Sequence, residues 1–80
     1  MDFTRSHEAL AAYNRLYRAS PQVDPTANDA AERVRTWRRN VDELARLVHE
    51  AFWLDSGGRY SRRYCHFQLS IGQIQALIGD

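Results

Sequence analysis

The sequence predicts a small, mainly helical domain, and three observations carry that prediction. Apolar residues recur three and four apart through the middle of the chain, proline and glycine punctuate either side of that run, and a capping box stands near the C-terminus. The expected architecture is a long central helix packed by an N-terminal helix and a short C-terminal helix. An extended segment or short β-hairpin is expected around residues 52–68, and an all-α three-helix bundle is the alternative. Residues 1–80 are read as a single small helical domain, because eighty residues leave room for one core.

The first helix is expected over about Ser6 to Ala19, with Leu10, Tyr13, Leu16 and Tyr17 on its apolar side and Thr4 or Ser6 as N-cap. Ser20-Pro21 stops it, since a residue before proline is pushed out of the α region. Asp24-Pro25 then offers an N-cap followed by a proline at the first helical position, so the central helix is expected to begin near residue 25. Ala27, Ala30, Val34, Trp37, Val41, Leu44, Val48 and Ala51 continue the spacing without a break. They predict a helix of about 27 residues, roughly 40 Å long at the usual rise, ended by Gly57-Gly58.

Valines at successive a positions raise the possibility of a parallel coiled coil. Arg33 would then face Arg38 of the second copy, and Ala31, Ala45, Leu47 and Phe52 broaden the stripe beyond a two-stranded seam. A monomer or weak dimer is therefore expected. Near the C-terminus, Ser70-Ile71-Gly72-Gln73 fits a capping box, Leu69 and Ile74 fit a hydrophobic staple, and Ile71, Ile74, Leu77 and Ile78 are expected to face inward. Residues 60–68 read two ways. Tyr60, Tyr64 and Phe67 share a helical stripe, whereas Cys65, Phe67 and Leu69 alternate as a half-buried strand does. The fresh helix start at Ser70 favours the extended reading, with Phe52 to Asp55 folding back across Ser56-Gly57-Gly58 as its pairing partner.

Composition narrows the function classes. The chain is 44% hydrophobic and 26% charged, as folded globular proteins are. All eleven basic side chains are arginine, and with ten acids the net charge is only +1, too small for a strong global pull on nucleic acid or anionic lipid. The longest strictly apolar run, Ala51 to Leu54, falls far short of the ~20 residues that span a bilayer, and no apolar stretch follows the N-terminus as a signal peptide requires. A lone cysteine, Cys65, suits a reducing compartment. Cytoplasmic residence without a membrane partner is the resulting expectation.

Chemistry-bearing motifs are sparse. His49, Glu50, Cys65 and His66 are the only metal-ligand candidates, and none forms a CxxC or HxxxH pair. Nothing marks Cys65 as an activated nucleophile, and Ser56-Gly57-Gly58 matches no phosphate-binding loop. Asp42 and Glu43 read as intrahelical partners of Arg46 and Arg39. No catalytic residue, metal or cofactor is expected. The run Leu69 to Gly79 resembles the opening helix of helix-turn-helix regulators, whose turn and recognition helix would follow where the sequence reaches Asp80. No DNA-binding function is carried over from that likeness.

Two arginine zones remain: Arg33, Arg35, Arg38 and Arg39, and then Arg59, Arg62 and Arg63 interleaved with Tyr60, Tyr64, His66 and Phe67. In the extended reading Cys65, Phe67 and Leu69 turn inward, which leaves Tyr60, Arg62, Tyr64 and His66 as the working surface, with Arg59 and Arg63 beside it. Arg35, Arg38 and Arg39 are the next candidates. Arginine and tyrosine anchor protein interfaces, while arginine among aromatic rings also suits bases and phosphates. The bland alternative is that the arginines cover apolar surface with their stems. The expected function is a non-catalytic protein-binding module, a stand-alone inhibitor or regulator acting by steric occupation of a larger complex. Phage anti-defence proteins of the anti-CRISPR kind illustrate that class, as a prior and not as a sequence match. A small nucleic-acid-binding protein using the arginine and tyrosine surface is the alternative.

Overall fold

The computed structural model describes residues 2–79, which form four helices and, among the described residues, no strand. Helix α1 (Thr4–Arg18) lies antiparallel to the long α2 (Ala30–Asp55), and the short α3 (Arg62–Phe67) and α4 (Ile71–Ile78) fold back onto α2. The mainly helical architecture with a long central helix is thus as expected. None of the described helices is long and apolar enough to cross a membrane.

Side chains of α2 hold both ends of α1. At the start, the Asp55 carboxylate accepts from the Ser6 N–H and the Ser6 hydroxyl, each at 2.7 Å, so one of the N–H groups that a helix leaves without a backbone partner is met from the far end of α2. Asp2 accepts from the Thr4 N–H at 2.9 Å and caps the same turn, replacing the expected Thr4 or Ser6 cap. At the other end, the Trp37 indole N–H donates to the Leu16 carbonyl at 2.8 Å. Trp37 is therefore half-buried with its polar edge occupied, not enclosed at the centre of a core.

The start of α2 comes five residues later than expected. Asp24 does accept from the Thr26 N–H and hydroxyl, at 2.9 and 2.8 Å, but the chain closes a turn there, with the Ala27 N–H on the Asp24 carbonyl. The local carboxylate bond that makes aspartate a good cap serves equally well in an isolated turn. At its other end α2 runs through Asp55 and stops where Gly57 and Gly58 take φ of 60° and 90°, a region that side chains with a Cβ rarely enter.

The expected extended segment or hairpin at residues 52–68 is absent, and both of its arms are helical instead. Phe52 to Asp55 belong to α2, and Ser61 caps α3 by accepting from the Tyr64 N–H at 3.1 Å. A lone strand would leave its backbone groups without partners, whereas one capped turn of helix satisfies them locally. The Ser70 capping box is present in full: the Gln73 N–H donates to Ser70 Oγ and the Ser70 N–H to Gln73 Oε1. Leu77, expected inward, is half exposed.

The core is Leu10, Val48, Phe52, Cys65, Leu69, Ile74 and Ile78, with Phe3, Tyr13, Trp53, Tyr60 and Ile71 packed around it. It lies on the C-terminal half of α2, where α1, α3 and α4 converge. Over Ala30 to Asn40 only Ala30 is buried and Trp37 half-buried, so the apolar periodicity outruns the available cover, and Val34 is 40% exposed. The molecule is elongated in consequence, 48 × 23 × 15 Å.

Candidate interaction surface on helices two and three

Because α3 is a helix, its inward positions repeat every three to four residues. Cys65 is buried on α3, and Leu69, past the helix end, is buried too, while Phe67, about 200° around the helix from Cys65, points away. Phe67 is 78% exposed, which reverses its expected inward placement. Tyr60 and His66, expected on the outer face, are half-buried against α2. Arg62 and Tyr64 keep much of their surface, and Arg59 and Arg63 are exposed.

Each residue of the expected working surface has a partner within the fold. The Tyr60 ring packs on Phe52 at 5.5 Å between centroids, and Tyr64 stacks on Tyr60 at the same distance with only 11° between planes. Phe3 continues this series inward by stacking on Phe52. The Arg62 guanidinium lies 4.1 Å over the Trp53 ring and reaches Glu50 Oε1 at 3.1 Å. Glu50 Oε2 stands 3.6 Å from His66 Nε2, a buried nitrogen with no hydrogen-bond partner. His66 stacks on His49, whose two ring nitrogens each lie 2.9 Å from a carbonyl oxygen, of Ala45 and of Leu69. A neutral imidazole can donate to only one of these. His49 thereby ties α2 to the residue preceding the Ser70 cap.

These contacts make α3 a firmly seated platform. Around it, Arg46, Glu50, Arg62, Arg63, His66 and Phe67 line a shallow open basin. Arg46 pairs with Glu43 at 2.6 Å, and the bond from Arg46 holds the Glu43 carboxyl below its usual range. Asp42 and Arg39, the other expected members of that pairing, form no ion pair among the described residues. Arg63 has no carboxylate partner among them either. Phe67 is the residue that sequence reasoning turned the wrong way, and Arg46 is the one it did not place beside α3. The available signal was the helical stripe through Tyr60, Tyr64 and Phe67, passed over in favour of alternation.

Arg35, Arg38 and Arg39 lie exposed on the N-terminal half of α2, where they line a second shallow strip with Val34 and Asp42. Arg38 is 5.8 Å from the centre of the Trp37 ring. Helical geometry puts Arg35, Arg39 and Arg46 within about 40° of one another around α2, so the two strips follow one side of the helix.

Cys65 is fully buried, and burial pushes its thiol above the ordinary range, the opposite of an activated nucleophile. No hydrogen bond joins it to His49 or His66. Among the described residues, no three His, Cys, Asp or Glu side chains gather as a metal site. Native protein is expected to resist a thiol-specific disulfide reagent at about pH 8 and to label fully in urea. Equal labelling rates in both conditions would show that α3 opens freely and is no fixed platform.

Compared with known proteins, the chain matches no family model, no curated protein and no solved structure.

Proposed function

We propose that this chain is a non-catalytic protein-binding module, acting by steric occupation of a larger partner, with α3 and the adjoining side of α2 as its contact surface. The observation that carries the proposal is Phe67: a large apolar ring, 78% exposed, set among arginines on a helix whose other side is pinned to the core. A phenylalanine this exposed contributes little to its own fold, whereas aromatic and arginine side chains on a rigid support are the usual anchors of protein interfaces. Arg62 and Arg63 line the same basin, and Tyr64 and Arg59 are exposed on α3 and on the turn before it. Tyr60 and His66 support the platform from beneath.

The test pairs stability with binding. Phe67→Ala combined with Arg63→Glu is expected to change the unfolding free energy by less than about 0.5 kcal/mol, as substitutions at exposed positions do. The same variant should no longer retain the partner that the unaltered chain captures from an extract of its source cells. Undiminished capture by the folded variant would move the binding surface elsewhere. Loss of folding would mean that Phe67 packs inside, against its exposure here.

A further inference from the structure

Resting on that reading, we infer that the partner offers an acidic protein segment with at least one apolar side chain, laid along α2 from Arg35 to Phe67. The side of α2 that α3 covers near Glu50 and Trp53 is bare over the preceding turns. That bare side carries Arg35, Arg38 and Arg39 and leads into the basin of Arg46, Arg62 and Arg63. Six arginines therefore mark a course along this side of α2 and α3, with Asp42, Glu43 and Glu50 among them. The whole chain has a net charge of only +1, so its positive charge is concentrated on this side. Opposite charge on the partner is the complement that such a surface selects.

The interspersed carboxylates decide between an acidic protein and a nucleic acid. A phosphate backbone presents negative charge at every step, and its affinity comes from neutralising many phosphates in succession. Asp42, Glu43 and Glu50 interrupt any such row. Glu43 and Glu50 also engage Arg46 and Arg62, leaving Arg63, Arg35 and Arg39 without ion-pair partners among the described residues. An acidic peptide places its carboxylates singly and can set apolar or hydroxyl groups where the surface is itself acidic. Phe67, at the end of the course, provides the apolar contact that fixes register.

The experiment selects short random peptides displayed on phage against the full-length chain and measures the enriched peptides in solution. Enriched sequences are expected to be net negative with an aromatic or aliphatic residue. Their binding should weaken at least about tenfold with Arg39→Glu or Arg63→Glu. Arg33→Glu, on the opposite side of α2, should leave it unchanged, and circular dichroism should confirm that all three variants fold. Neutral or basic peptides that still require Phe67 would overturn the acidic partner while preserving α3 as the contact surface. Peptides indifferent to Phe67→Ala, or no enrichment at all, would overturn both. Tighter binding of oligothymidylate than of any peptide at physiological salt would overturn both in favour of single-stranded nucleic acid.

Discussion

Phe52→Ala is expected to lower the unfolding free energy by about 3–5 kcal/mol, the cost of removing a fully buried phenylalanine and leaving a cavity. Phe52 is 1% exposed and sits where Phe3 before α1, Tyr60 before α3 and the body of α2 meet, so no single neighbour can move to fill the space. A domain of this length has a total stability of about 0.05–0.15 kcal/mol per residue, so the loss is a large share of the whole. Urea denaturation followed by far-ultraviolet circular dichroism measures it. Phe52→Leu, which keeps most of the volume, should lose much less. If both variants lost under about 1 kcal/mol, the convergence of three segments on this ring would contribute little to the fold.

Asp55→Ala should cost about 2–3 kcal/mol, because it removes a charged acceptor shared by two donors of Ser6 and leaves a fully buried hydroxyl without a partner. Asp55→Asn keeps an acceptor oxygen but not its charge, and about half of that loss is expected. The check is a double-mutant comparison with Ser6→Ala. The two single losses should add only in part, since Ser6→Ala removes the hydroxyl bond that Asp55→Ala also removes but leaves the backbone N–H bond in place. Strict additivity would mean that Asp55 stabilises the protein through some other group. Hydrogen exchange should show the first turn of α1 opening more readily in Asp55→Ala, the turn that this carboxylate caps.

The candidate surface was partly legible in the sequence. Arg62, Arg63 and Tyr64, singled out as arginine interleaved with tyrosine in a segment without acids, are exposed in the fold. Their orientation was not legible. Cys65, Phe67 and Leu69 fit an alternating pattern and Tyr60, Tyr64 and Phe67 fit a helical one, and over so few residues the two periods select overlapping sets. Choosing alternation reversed Phe67 and put Tyr60 and His66 outside. Arg46 was assigned only an intrahelical pairing, since nothing local reveals that a residue in mid-helix will border a segment some sixteen positions later.

By itself the sequence determined the long central helix, the glycine stop after it and the Ser70 capping box. Each follows from interactions between near neighbours: a side chain and the turn beside it, or a backbone angle that only glycine takes readily. The beginning of α2 was not among them, because the Asp24 carboxylate bond stabilises a turn as well as a helix start. Tertiary structure alone decided which part of the apolar stripe is covered. Val34 continues the same periodicity as Val41 and Val48, yet it is exposed, because α3 and α4 reach only the C-terminal half of α2. It also decided that Asp55 and Trp37 hold the two ends of α1. Those bonds link residues 49 and 21 positions apart, and periodicity along a chain carries no information about pairing at that range.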